Sequence, residues 1–219
     1  MALGVRYDSF KEMTTADSTL FPMMIKLGGR RCLVVGGGKV AAAKIRSLLV
    51  CGAQVTVVSP EVGNKIRLLA AKGELFWRRR LFSPRDLRGV FLAIAATDSV
   101  AINESVFRCC QARKILCNSV DDPDHCDFFY PAVVRRGPLL IAVSTSGRSP
   151  ALAAELRREL DRRFGSEWAG FVEQVGKQRQ KILRTPPSAR RKKLLKQIAI
   201  PLRSAPLQRA GKTKTTKLR

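Results

Sequence analysis

The sequence predicts an α/β fold: a Rossmann-type parallel sheet, followed by a β-hairpin/helix dimerisation segment and a small C-terminal helical unit. Three observations carry this. An apolar run at 32–35 passes straight into three glycines and then into a stretch of small and apolar residues. Strand and helix signals then alternate up to residue 118, as right-handed βαβ units require. After Pro123 the alternation stops, and two β-prone runs lead into a helix.

The elements follow in order. Residues 1–19 are polar and of mixed charge, with no apolar core of a signal peptide, and read as an N-terminal extension. The strand at 32–35 precedes a helix at 39–50. The strand at 54–58 precedes a helix at 63–71. A third strand falls at 74–77. The run 91–95 is wholly apolar, as a parallel strand buried on both faces should be. A helix at 103–113 and a strand at 115–118 complete a dinucleotide-binding domain over 20–125.

Two runs, 128–134 and 139–144, flank Arg135-Arg136-Gly137-Pro138 and read as a hairpin outside the first sheet. Ser149 as N-cap and Pro150 at the first helical position open a helix to about Phe164. Its Leu152, Leu156 and Leu160 recur every four positions. A hairpin and one helix bury little surface alone, and Phe128, Phe129 and Tyr130 are costly to expose. The segment 126–165 is therefore expected to pair with a second copy. Stretches 167–183 and 188–198 read as helices of a unit over 166–200, and 201–219 as a frayed basic tail.

Composition bounds the function. The chain is 45% hydrophobic, enough for a core, yet no segment approaches the ~20 apolar residues of a membrane span. Its six cysteines, Cys32, Cys51, Cys109, Cys110, Cys117 and Cys126, form no C-x-x-C pair. Free thiols in a reducing cytoplasm are expected. His125 is the sole histidine, so no metal site is predicted. The net charge of +24 is uneven: no acid follows Glu173, and 15 of the 41 Lys and Arg fall in 177–219. Such a tail suits an anionic partner or a merely solvated end. No aromatic residue interleaves the basic ones after Phe171, which argues against nucleic acid as the main partner.

The glycine run carries the first chemical signal. Read as G-x-G-x-x-A, it falls on Gly36, Gly38 and Ala41. Gly36 permits the tight turn, Gly38 lets a pyrophosphate approach the backbone, and Ala41 lets the helix lie close to the sheet. The phosphates would meet free N–H groups at a helix N-terminus. The acid expected at the tip of the second strand is missing: Ser59 takes the tip, followed by Pro60 and Glu61. Serine can still hydrogen-bond a ribose. No arginine stands beside Ser59 in sequence, which favours NAD over NADP.

Binding is expected where 36–40, 96–98 and 118–122 meet, beyond the carboxyl ends of the strands. Asp121, Asp122 and Asp124 cluster just past the fifth strand. They read either as an acidic turn or as a general acid or base beside the cofactor. The run Ser144-Thr145-Ser146-Gly147-Arg148-Ser149 leads into a helix N-terminus, which suits an anionic substrate group and equally ordinary capping. Arg135, Arg136 and Arg148 can hold carboxylates or face solvent.

Taken together, several segments resemble one family in order and with compatible gaps over about residues 20–165. They are Phe21-Pro-Met-Met, Cys32-Leu-Val-Val-Gly-Gly-Gly-Lys-Val-Ala, Val55-Thr-Val-Val-Ser-Pro-Glu, Leu92-Ala-Ile-Ala-Ala-Thr-Asp98, Cys117-Asn-Ser-Val-Asp121, Cys126-Asp-Phe-Phe-Tyr-Pro and Ser144-Thr-Ser-Gly-Arg-Ser-Pro150. The resemblance is to the precorrin-2 dehydrogenase/ferrochelatase modules of siroheme synthesis. It implies NAD-dependent oxidation of precorrin-2 to sirohydrochlorin, Fe²⁺ insertion in some members, and an intertwined homodimer. It also implies a stand-alone enzyme, since no methyltransferase module accompanies these motifs. By position, Gly36, Gly38, Lys39 and Val40 match the pyrophosphate loop, and Gly37 between them is an expected cofactor contact. Pro60 and Glu61 match the adenosine side, with Ser59 at the strand tip an expected cofactor contact beside them, and Thr97 and Asp98 match the turn beside the cofactor. Asp121 matches the aspartate on which activity depends; Asn118, Thr145, Ser146 and Arg148 are the expected substrate contacts. The positive body suits a tetrapyrrole octacarboxylate. Two rival classes are an NAD(H)-sensing domain without turnover, against which the Asp121 cluster argues, and a nucleic-acid binder using the tail.

Overall fold

The computed structural model describes residues 20–198. The N-terminal extension and the tail 201–219 lie outside these residues. The described chain divides into two compact units, Phe21–Tyr130 and 131–198.

The first unit holds five parallel strands: β1 (Arg31–Val35), β2 (Gln54–Val58), β3 (Phe76–Arg78), β4 (Leu92–Ala95) and β5 (Leu116–Ser119). Their spatial order is β3-β2-β1-β4-β5, so the winding reverses between β1 and β4 and opens a switch-point crevice there. Helices α1 (Lys39–Val50), α2 (Asn64–Ala71) and α3 (Val100–Gln111) cover the sheet. Alternation along the strands feeds two apolar layers. Val34 and Val57 pack with Ala41, Ile45, Leu48 and Ile66 of α1 and α2. Leu33, Val35 and Val58 pack with Val106 and Cys110 of α3. All six cysteines are free thiols, and burial pushes the Cys32 thiol up to about 11, as for an inert core residue.

A 3₁₀ turn at Pro84–Leu87 brings Asp86 under the end of β3, its side chain fully buried. Its carboxylate accepts from Arg78 at 2.6 Å, from Arg80 at 2.5 and 2.8 Å, and from the Ser83 N–H at 3.0 Å. Burial alone would raise its pKa, but the bonds from Arg80, Ser83 and Arg78 outweigh this and hold it below the usual carboxylate range. A depressed folded-state value stabilises above the unfolded pKa, and that stability is lost as pH falls through the folded one. Asp86→Asn should therefore lower the melting temperature at neutral pH by roughly 5–10 °C. The difference from wild type should shrink as the buffer is acidified below pH ~4. Equal melting curves at pH 7 would deny Asp86 this part.

The second unit contains the hairpin β6 (Ala132–Arg136) and β7 (Leu139–Val143), then α4 (Pro150–Arg163), α5 (Glu167–Leu183) and α6 (Ala189–Gln197). The hairpin forms, but four residues later at its start than the sequence pattern indicates. Arg135 and Arg136 extend β6, and Gly137-Pro138 alone make the turn. The aromatic run before it stays with the first unit. Asn118 bridges to Cys126 and donates to the Phe128 carbonyl, and Tyr130 lies against Lys44. In the second unit, Ser149 caps α4 by accepting from the Leu152 N–H, with Pro150 following as expected. Phe164, Trp168 and Phe171 stack edge-on at 5.0 and 5.4 Å. Arg136 donates to Asp161, tying β6 to the end of α4.

Candidate active site

The three glycines after β1 do different work. Gly36 turns at φ 119, a conformation that L side chains rarely adopt. A Cβ there would stand 2.1 Å from the Ala96 carbonyl oxygen. The Gly36 N–H donates to Val58 at 3.0 Å. Gly37 is pressed against the loop after β2: a Cβ would lie 2.1 Å from the Glu61 carbonyl oxygen, and the Gly37 carbonyl accepts from Gly63 at 2.9 Å. Gly38 is the opposite case, since a Cβ there would meet nothing within 4 Å. The loop is thus clamped at its first two glycines and open at the third.

Gly38 is also the N-cap of α1, with no side-chain cap and no acid in the first turn. The first intrahelical bond runs from Ala42 to Gly38, so the N–H groups of Lys39, Val40 and Ala41 precede it and point outward with the positive helix end. Ala41 is wholly buried, as close packing of helix on sheet requires. An open groove with a cavity volume of about 1610 Å³ runs from this loop past Ser59, Pro60 and Glu61 to Ala96, Thr97 and Asp98. It exceeds the ~300–1,000 Å³ of a pocket for one drug-sized ligand. The residues present fit a dinucleotide.

On the adenosine side, the Ser59 hydroxyl donates to the Glu61 carbonyl at 2.6 Å and the Ser59 carbonyl accepts from the Trp77 indole at 2.9 Å. Serine therefore shapes the loop, and Pro60 and Glu61 are left exposed along the groove. The arginine absent beside Ser59 in sequence is present beside it in space. The Ser59 N–H donates to the Arg78 carbonyl at 3.2 Å across the β2–β3 edge. Its guanidinium is bound to Asp86, however, which leaves the preference for NAD standing.

Thr97 accepts from the Ser99 N–H and bonds Asn103 Oδ1 at 2.7 Å. Asn103, buried in α3, also accepts from the Thr97 N–H and donates to the Thr97 carbonyl. The Thr97-Asp98 turn is thus fixed from below, and Asp98 stays exposed at the groove. Sequence reading missed Asn103. A polar residue on the sheet side of an amphipathic helix was the available signal.

Beyond β5, Asn118 is buried and donates to Cys126 Sγ at 3.1 Å and to the Phe128 carbonyl at 2.9 Å. Both amide protons hold the returning chain. Asp121 is exposed, with φ 61, the left-handed region that Asp tolerates better than most residues. Asp122 is paired with His125 at 2.5 Å, and the His125 ring sits edge-on to Phe107 at 4.8 Å. The pair closes the turn under Asp121. Among the described residues, three other than glycine have positive φ: Lys114, Asp121 and Ser146. Two of them are residues the sequence nominates, which fits the clustering of backbone strain at functional positions.

In the second unit, the Thr145 hydroxyl accepts from the Ser149 N–H at 3.1 Å and donates to the Ser149 carbonyl at 3.0 Å. Ser146 donates its N–H to the Ser144 hydroxyl at 3.1 Å. The loop is a closed cap with Ser146, Gly147 and Arg148 exposed on it. Among the described residues no group of three His, Cys, Asp or Glu converges on a metal position, and no helix is long and apolar enough to cross a membrane.

Comparison with known proteins adds the following. An NAD(P)-binding family model matches residues 23–132, and one described as the sirohaem biosynthesis protein central domain matches 136–163. A siroheme synthase of Photorhabdus laumondii is 39% identical over 172 residues, covering 78% of this chain and 37% of the relative. One from Methylobacillus flagellatus is 45% identical over 140 residues, covering 64% of this chain and 30% of the relative. The chain thus spans about a third of the length of these curated relatives. A solved structure titled SirC, precorrin-2 dehydrogenase, superposes with TM-score 0.69 at 33% identity, covering 82% of this chain and 89% of that one.

Proposed function

The chain belongs to the precorrin-2 dehydrogenase family of siroheme biosynthesis, and from that premise we propose that it oxidises precorrin-2 to sirohydrochlorin with NAD⁺. The observation that carries the reading is the clamped glycine loop, open at Gly38, in the same unit as the exposed Asp121 turn. Bound there, NAD⁺ supplies the hydride acceptor. The chain does the rest. Lys39 and the free N–H groups of α1 bind the pyrophosphate, Pro60 and Glu61 flank the adenosine, and Thr97 and Asp98 line the turn beside the nicotinamide. Asp121 accepts the separate proton that the substrate releases as it gives up its hydride. Asn118 holds the turn, and Thr145, Ser146 and Arg148 contribute contacts to substrate carboxylates. Anaerobic incubation with precorrin-2 and NAD⁺ should give the sirohydrochlorin spectrum with stoichiometric NADH. NADH without sirohydrochlorin, or neither, would reject the reading and favour an NAD(H) sensor. Adding Fe²⁺ to the same assay tests for siroheme; iron insertion releases pyrrole protons, which the Asp121 carboxylate would accept in this scheme.

A cytoplasmic homodimer completes the proposal. β6–β7 is a lone two-stranded sheet, marginal in water by itself. Val133, Leu152 and Leu156 are 38%, 51% and 42% exposed, and the two leucines are one helical turn apart. Burying that stripe against a second copy removes the liability. Light scattering should give twice the chain mass at micromolar concentration, and Leu156→Asp should shift it toward monomer. A wild-type monomer with full activity refutes the assembly.

A further inference from the structure

One half-buried cation of the first unit has no part in the scheme above. Lys44 lies on α1, whose faces separate cleanly at 3.6 residues per turn. Ala41, Ile45 and Leu48 form the buried stripe. Ala42, Arg46 and Leu49 line the dinucleotide groove. Lys44 falls on the flank of the buried stripe opposite Ala42 and Leu49. Its Nζ lies 3.6 Å from the centroid of the Tyr130 ring, a cation–π contact, and Tyr130 packs in turn on Phe128 at 5.8 Å.

Burial pulls the pKa of the ammonium below the ordinary lysine value, and the Asp121 carboxylate is near enough to act against that shift. Among the described residues no carboxylate forms an ion pair with it. A partly desolvated ammonium with three N–H donors, stacked on a ring face and without a direct ion pair among the described residues, is poised for an anion. Lys39, at the loop itself, already serves the pyrophosphate in this scheme. Lys44 stands instead on the Asp121 side of the helix.

We propose that Lys44 is a substrate-binding residue whose ammonium, braced on Tyr130, receives one peripheral carboxylate of the tetrapyrrole and so sets the macrocycle at Asp121. The inference rests on the function proposed above. Charge complementarity with an octacarboxylate supplies the partner, and the fixed distance to Tyr130 supplies the geometry. A pre-positioned cation adds affinity where it also orients.

The test compares wild type with Lys44→Met and Lys44→Arg by three measurements: kcat and KM for precorrin-2, titration with sirohydrochlorin, and NAD⁺ affinity. For Lys44→Met, the KM for precorrin-2 and the Kd for sirohydrochlorin should rise about tenfold or more, as loss of one charge-assisted contact entails. NAD⁺ affinity should be unchanged, and Lys44→Arg should recover most of the loss. Should Lys44→Met fail to fold, Lys44→Gln keeps the polar stem and tests the same point. Unchanged KM and sirohydrochlorin affinity would overturn the inference. So would a fall in kcat alone, which would make Lys44 a partner of Asp121 rather than of the substrate. A wild-type chain that neither oxidises precorrin-2 nor binds sirohydrochlorin fails one step earlier, at the function itself.

Discussion

Gly38→Asp is expected to abolish NAD⁺ binding without unfolding the protein. The position tolerates a side chain, since a Cβ there meets nothing within 4 Å. A carboxylate at that point occupies the space the pyrophosphate needs and repels it at short range. It also sits at a helix N-terminus, where a negative side chain is itself stabilising, so the apo variant should melt no lower than wild type. Wild type with NAD⁺ at a hundred times its Kd should gain about 2.7 kcal/mol by linkage; the variant should gain none. The neighbouring glycines give the contrast that makes the result specific. Alanine at Gly36 or Gly37 would drive a Cβ within 2.1 Å of a backbone oxygen, and both variants should lose stability before any effect on binding can be read. Normal NAD⁺ affinity in a folded Gly38→Asp protein would move the cofactor site elsewhere.

That contrast also marks what the sequence could and could not convey. The strand–glycine–helix order, the alternation to residue 118 and the Ser149-Pro150 helix start are local patterns, and α1, β2 and α5 stand at the expected bounds. What depended on spatial neighbours was invisible. Gly37 reads as filler between two motif glycines, yet the loop after β2 presses on it. Arg78 lies nineteen positions from Ser59 and is its neighbour across the sheet edge. Asp86 looks like one more surface acid among arginines, but it is buried beneath them. The aromatic run at 128–130 carries β propensity and by local pattern belongs to the hairpin. Asn118 and Lys44 hold it to the first unit instead, a tertiary preference that outweighs the local one.

Asp121→Ala should lower precorrin-2 turnover by about 10²–10⁴-fold, the range for loss of a general base, while NAD⁺ affinity stays at the wild-type value. Turnover and cofactor binding should separate because the carboxylate stands beyond β5, whereas the pyrophosphate loop follows β1. The backbone sharpens the expectation. Asp121 holds φ 61, so alanine also meets a conformational penalty there, and activity could fall through a displaced turn alone. Asp121→Asn removes that ambiguity, since asparagine accepts the left-handed region as readily as aspartate and lacks only the basic carboxylate. It should be nearly as inactive as the alanine variant. Asp122→Ala is the companion. It breaks the pair with His125 at 2.5 Å and loosens the turn, so it should lose stability and at most roughly tenfold in rate, the asymmetry expected between a base and its support. Wild-type turnover in Asp121→Asn would remove the carboxylate from proton transfer. Asp122→Ala falling as far as Asp121→Asn would mean that the shape of the turn, rather than the base it carries, limits the reaction.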